Sequence, residues 1–158
     1  MTDQLSDIAE IHWLMDTLQS VDVGLMVLDR DYNIQLFNGF MENHSGLSPS
    51  EVRGRDFFSA FPAVNEAWFR RKVDSVLLLK SHAFSTWEQR PYLIKFKSYR
   101  PITGKAAWMY QNITIIPLIS SDGTVNHSCV IIYDVTDIAI GKQELQGANS
   151  QLERLSQT

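Results

Sequence analysis

The sequence predicts an α+β fold: one five-stranded antiparallel sheet with helices on one face, flanked by an N-terminal and a C-terminal helix. Three observations predict it. Two strand-like runs come first, a block of helical patterns follows, and three further strand-like runs close the domain. The last two runs are joined by Ser120-Ser121-Asp122-Gly123-Thr124, and Asp-Gly between alternating apolar segments is a strong hairpin signal. The helical block carries its own start and stop residues, so it is not a misread strand.

The first element is a helix over about Asp7 to Leu18, where Ile8, Ile11, Met15 and Leu18 recur at helical spacing. Val23 to Leu28 and Asn33 to Phe37 read as strands joined by the polar corner Asp29-Arg30-Asp31-Tyr32. Ser48-Pro49-Ser50-Glu51 is a capping box with Pro at the first helical position, and Gly54 can terminate that short helix in the left-handed region. Ala63 to Leu79 is the longest internal helical pattern. Trp68, Phe69, Val73, Val76 and Leu77 form its apolar face, with Arg70, Arg71, Lys72 and Asp74 opposite. The remaining strands are expected at about Phe84 to Lys97, Trp108 to Ile119 and Val125 to Tyr133, with Pro101 and Gly104 marking a loop. From Ile138 to Leu155 the chain reads as a helix with heptad spacing. Ile138, Leu145 and Leu152 form one row, and Gly141, Ala148 and Leu155 the other. This pattern points to a parallel two-stranded coiled coil leading to another domain, in preference to a helix docked on this one, which makes a second copy of the chain the expected partner. The expected division is residues 1–20, 21–137 and 138–158.

Composition narrows the function. A chain of 158 residues with net charge −4 has no basic surface for nucleic acid, and Arg70-Arg71-Lys72, its densest basic cluster, reads as a solvated helix face. The single Cys129 excludes an internal disulfide and any multi-cysteine metal site. It sits in the apolar run Cys129-Val130-Ile131-Ile132-Tyr133 and reads as a sheet residue rather than a nucleophile. No signal peptide precedes the first helix, and no apolar stretch approaches the roughly 20 residues of a membrane span. A soluble, cytoplasmic domain is expected. His12, His44, His82 and His127 show no metal-site spacing. No phosphate-binding glycine loop or nucleophile elbow is present, and Glu88 with Arg90 reads as a cross-strand ion pair rather than an acid–base pair.

Several local motifs, in order, resemble the PAS family over Val21 to Asp137. Gly24-Leu25-Met26-Val27-Leu28-Asp29 is similar to its opening strand, and Ile34-Gln35-Leu36-Phe37-Asn38 to its second strand with the Asn that caps the next helix. Gly46-Leu47-Ser48-Pro49-Ser50-Glu51-Val52-Arg53-Gly54 resembles its Gly-apolar-Ser/Thr-x-x-Glu-apolar-x-Gly segment. Ile116-Pro117-Leu118 before Asp122-Gly123 matches the penultimate strand, and Asp134-Val135-Thr136 the Asp-x-Thr junction to an output helix. Trp87-Glu88-Gln89-Arg90-Pro91-Tyr92, Arg100-Pro101-Ile102-Thr103-Gly104 and the final helix resemble sensory boxes that precede GGDEF diguanylate cyclase domains in gamma-proteobacteria.

The resemblance implies a sensory, dimerising module without a catalytic centre, controlling a downstream domain through the last helix. A ligand-free structural dimerisation domain and a sensor for a histidine kinase or other output are the alternatives. It places a candidate small-molecule pocket between the inner sheet face and the helices. Asn112 corresponds to a ligand-contacting Asn of flavin-binding members, so Trp108, Tyr110, Asn112, Thr114 and Ile116 are expected to point inward, and Met109, Gln111, Ile113 and Ile115 outward. Val130 and Ile132 are expected inside, with Trp68, Trp87 and Tyr92 as aromatic walls and His44 on the short helix after Asn38. The cofactor stays unknown. Gly54-Arg55-Asp56-Phe57-Phe58 holds no adduct-forming thiol, and the long helix holds no haem-ligating His, which leaves His82 just after it and His44 on the short helix after Asn38 as the remaining axial candidates and makes haem an unfavoured cofactor. Asp134 and Thr136 form the expected signal junction, worth about 1 kcal/mol as a helix cap and therefore small beside the stability of the whole domain.

Overall fold

The computed structural model describes residues 2–98 and 108–156, the side chains of 2–7 and 18 excepted. Helix α1 (Thr2–Ser20) leads into β1 (Gly24–Asp29) and β2 (Ile34–Phe37). Between the strands, the Asp29 carboxylate accepts from the backbone N–H groups of Asp31 and Asn33, both at 2.9 Å, which closes the polar corner. Four short-range caps then start four helices. Asn38 caps α2 (Gly39–Ser45), Ser48 caps α3 (Pro49–Val52), Asp56 caps α4 (Phe57–Ala60) and Asn65 caps α5 (Glu66–Leu79). Gly46, at φ 74°, ends α2 in the left-handed region.

After α5 come β3 (Ala83–Ser85), β4 (Gln111–Ile119), β5 (Val125–Asp134) and α6 (Thr136–Ser156). The β4–β5 turn is the predicted hairpin. Gly123 takes φ 84°, and Asp122 accepts from the Thr124 N–H and hydroxyl. The antiparallel sheet runs β2-β1-β5-β4-β3, so the first strand lies beside the last. Residues directly opposite in an antiparallel pair share a face. Met26 opposite Val130, Ile113 opposite Ile132 and Ile115 opposite Val130 build the inner face, all 4% exposed or less. Helices α2 to α5 cover that face with Phe40, Met41, Val52, Phe57, Phe69, Val73 and Val76. Gly24 is required where it stands, because an added Cβ would lie 2.8 Å from Met41 Sδ and 3.1 Å from Ile132 Cβ.

The structure corrects two expectations. The strand predicted over Phe84 to Lys97 stops at Ser85, and Thr86 to Arg90 form a turn. Its backbone leaves the ladder because side chains take its hydrogen bonds: Trp87 N–H donates to Asn112 Oδ1 at 2.9 Å. Second, β4 presents the opposite face to the core. Met109, Gln111, Ile113 and Ile115 are buried, whereas Tyr110, Asn112, Thr114 and Ile116 are only half-buried on the outer side and Trp108 is exposed. Register with β5 decides this, since Val130 and Ile132 point inward and their partners must follow. The apolar stripe of α1 is left largely open on this chain. Ile8, Ile11 and Met15 stay 45–63% exposed. The loop marked by Pro101 and Gly104 lies outside the described residues.

Candidate functional site

The predicted site residues fall into three places rather than one pocket. Ile132 is in the interior, fully buried, within a continuous cluster that includes Phe57, Phe69, Met26 and Leu28. His44 borders that cluster, its ring 4.3 Å from Phe40 and 5.7 Å from Phe96. Burial lowers the His44 pKa below the ordinary histidine value, and the carboxylates of Asp134 and Asp22 pull weakly the other way. A depressed pKa means that the unfolded chain binds this proton more readily, so stability is present above the ordinary pKa of about 6.5 and is lost as pH falls below it. Melting temperature is therefore expected to fall between about pH 7 and pH 5, and His44→Gln to flatten that part of the profile. An identical slope in the variant would show that His44 is not the group responsible.

The second place is the end of the sheet where β4, β5 and α6 meet. The Asp134 carboxylate accepts from the Thr136 N–H at 3.0 Å and from the Thr136 hydroxyl at 2.5 Å. The Thr136 oxygen in turn accepts from Tyr110 N–H at 3.1 Å, and Val135 N–H donates to Tyr110 O at 2.9 Å. Two short side chains thus join the last strand, its neighbour and the start of α6. Thr136 is 1% exposed, so this junction is part of the interior. Trp87 stands edge-on to Tyr110 with ring centres 5.6 Å apart, which brings Trp87, Tyr110 and Asn112 together here.

The third place is the outer sheet face. Asn112 and Thr114 lie in a concavity of about 350 Å³ with Phe84, Ser85, Thr86 and Tyr133. Asn112, Thr114 and Tyr110 therefore do not converge with Ile132, because alternation puts them on the far side of the sheet. Trp68 is half-buried at the edge of the interior cluster, where the Arg90 guanidinium covers it at 4.5 Å. Tyr92 is half-buried in the segment after the turn. Glu88 and Arg90 do not pair. Glu88 reaches Lys142 of α6 at 2.8 Å, so the cross-strand reading gives way to a contact between turn and helix.

Sequence reasoning placed Gln111 on the wrong face and missed its role. Fully buried, its side-chain oxygen accepts from Leu93 N–H at 3.0 Å and Ile94 N–H at 3.3 Å, and its NH₂ donates to Ile94 O at 2.7 Å. One amide thus adds to the backbone bonds from Gln111 N–H to Pro91 O and from Met109 N–H to Phe96 O in holding the segment that buries Leu93, Ile94 and Phe96. The only signal was a long polar residue within an otherwise apolar alternation.

The Arg70-Arg71-Lys72 cluster is partly engaged within the domain. Arg70 pairs with Glu66 at 2.8 Å and lies 4.7 Å over the Tyr32 and Phe58 rings. Cys129 is half-buried on β5, and burial pushes its thiol pKa up, away from the thiolate a nucleophile needs. Among the described residues no helix is long and apolar enough to cross a membrane, and no group of three or more His, Cys, Asp or Glu could hold a metal ion.

The family model described as the PAS fold matches residues 18–139. A solved structure described as a sensory box sensor histidine kinase from Vibrio cholerae is 31% identical, with 84% of this chain and 98% of that one covered at a TM-score of 0.58. An RNA-binding Light-Oxygen-Voltage receptor shares the fold at 17% identity and TM-score 0.63, and this chain covers 40% of it. The PAS domain of a Colwellia psychrerythraea protein does so at 12% identity and TM-score 0.58, covering 80% of this chain and 98% of that one. No curated protein sequence matches the chain. The match over residues 18–139, with the sheet order and the Asp134–Thr136 junction described above, shows that the chain belongs to the PAS family, as one of its sensory, non-catalytic domains.

Proposed function

We propose that this domain is the sensory and dimerising regulator of a larger cytoplasmic signal-transduction protein, and that it controls a downstream diguanylate cyclase through α6. The observation that carries this reading is the junction of Asp134, Thr136 and Tyr110. Any movement of β4 or β5 is passed directly to the first turn of a 21-residue helix whose later turns stand clear of the domain. The heptad residues Ile138, Leu145, Leu152 and Leu155 are 62–71% exposed along that helix, a pattern suited to a second copy. Exposed apolar residues on α1, with Phe84, Leu118 and Tyr133 on the sheet, add further apolar surface.

A diguanylate cyclase must bring two nucleotide-loaded subunits face to face, so the geometry of paired helices is a natural control point. The 31% identical structure described as a sensor histidine kinase supports a kinase as the second reading of the output. Sedimentation at micromolar concentrations is expected to show a dimer. Leu145→Asp with Leu152→Asp is expected to weaken it by at least about 100-fold, since two charges would be placed in an apolar seam. A monomer throughout, or a dimer indifferent to both substitutions, overturns the α6 pairing. Incubation of the longer protein with GTP and with ATP then separates cyclic dinucleotide synthesis from autophosphorylation.

A further inference from the structure

We propose that the turn at residues 86–90 is a releasable clasp that sets the direction in which α6 leaves the domain. The turn is held firmly on its inner side. Thr86 O accepts from Gln89 and Arg90 N–H groups at 3.1 and 3.0 Å, Trp87 N–H is bound by Asn112, and Arg90 stacks on Trp68 of α5. On its outer side it grips the second turn of α6. Glu88 Oε1 lies 2.8 Å from Lys142 Nζ, which also lies 6.0 Å over the Trp87 ring, while Gln143 donates to the Tyr110 hydroxyl at 3.2 Å. These contacts come just where the body of the domain ends. Ala139 is fully buried, Ile140 is half-buried, and every described residue from Gly141 onward is exposed.

The two grips on α6 differ in kind. The Asp134–Thr136 junction has its Thr136 side buried and Asp134 half-buried. The Glu88–Lys142 pair is open, with the two side chains about half exposed, and such pairs are weak and screened by salt. Gly141, immediately before the clasp, softens the helix there, and a Cβ added to it would meet no atom, so packing does not demand glycine. A helix fixed at its first turn, soft at its second and held there by a weak contact has two accessible exits. The turn links α5 to the helix through Trp68, Arg90, Glu88 and Lys142, which gives a change in the helical layer a route to the output that bypasses the sheet. This regulatory role rests on the sensor reading above.

Hydrogen exchange of residues 140–147 tests the clasp in this chain. Glu88→Lys and Lys142→Glu are each expected to speed exchange about 3- to 10-fold, the range an exposed ion pair and a cation–π contact can hold. The double swap is expected to restore the original rate. Unchanged exchange in the single variants, or no restoration in the double, overturns the clasp and leaves the sensor reading standing. The same variants in the longer protein test the regulatory role. Output shifted by the single variants and restored by the swap supports it. Faster exchange with unchanged output, in a protein whose output still responds to Thr136→Ala, overturns it. Output indifferent to both sets of variants instead overturns the sensor reading.

Discussion

Gln111→Leu is expected to lower the melting temperature by roughly 6–12 °C. Leucine fills a similar volume, so a cavity is not the cause. The substitution strips the acceptor from Leu93 N–H and Ile94 N–H at once, while Ile94 O loses one donor and keeps Phe96 N–H at 2.9 Å. Each buried polar group left unpaired costs about 1–3 kcal/mol. The segment can yield partly to water, so a total near 3 kcal/mol is the reasonable expectation, and 1 kcal/mol moves the midpoint by about 2–4 °C in a domain of this size. Gln111→Glu keeps the acceptor for both N–H groups but sets an oxygen against Ile94 O. It is expected to fall between Leu and wild type, and to recover on acidification as a protonated carboxyl regains a donor. Melting curves of the three proteins at two pH values check this. A Gln111→Leu protein that melts like the wild type would mean that residues 91–96 find other partners without loss.

Thr136→Ala is expected to lower the melting temperature by roughly 4–8 °C, equivalent to about 2 kcal/mol. The sequence-based estimate for a simple helix cap was half of that. Two further bonds make the difference. The Thr136 oxygen is the acceptor for Tyr110 N–H, and its hydroxyl is one of two donors to Asp134, all within a residue 1% exposed. Thr136→Ser keeps the oxygen and loses one methyl group, so it is expected to stay within about 1 kcal/mol of wild type. The expected order of stability is Thr, Ser, Ala, and output control in the longer protein is expected to follow the same order. Alanine melting level with serine would show that the hydroxyl bonds contribute nothing. Normal stability order with unchanged output would reduce the junction to a connector.

Local chemistry was legible in the sequence because it is written within a few residues. Ser48 before Pro49, Asp122 before Gly123 and Asp134 two residues before Thr136 act on backbone groups two or three positions away, and each does so in the structure. The order of elements and the apolar face of α5 follow from periodicity in the same way. The faces of β4 do not. Ile113 and Ile115 alternate with Thr114 and Ile116, so both sides carry apolar residues and alternation alone cannot choose between them. The choice belongs to the register with β5, where Ile113 meets Ile132 and Ile115 meets Val130 across a hairpin whose other strand is already committed to the core. That pairing carries Gln111 inward, where its amide meets a backbone 17 and 18 residues away in the chain. It also turns Asn112 outward to hold Trp87, 25 residues away, and the turn so held reaches Lys142, 54 residues from Glu88. Bonds between groups so far apart in sequence leave no periodic trace, so only the assembled tertiary structure decides them.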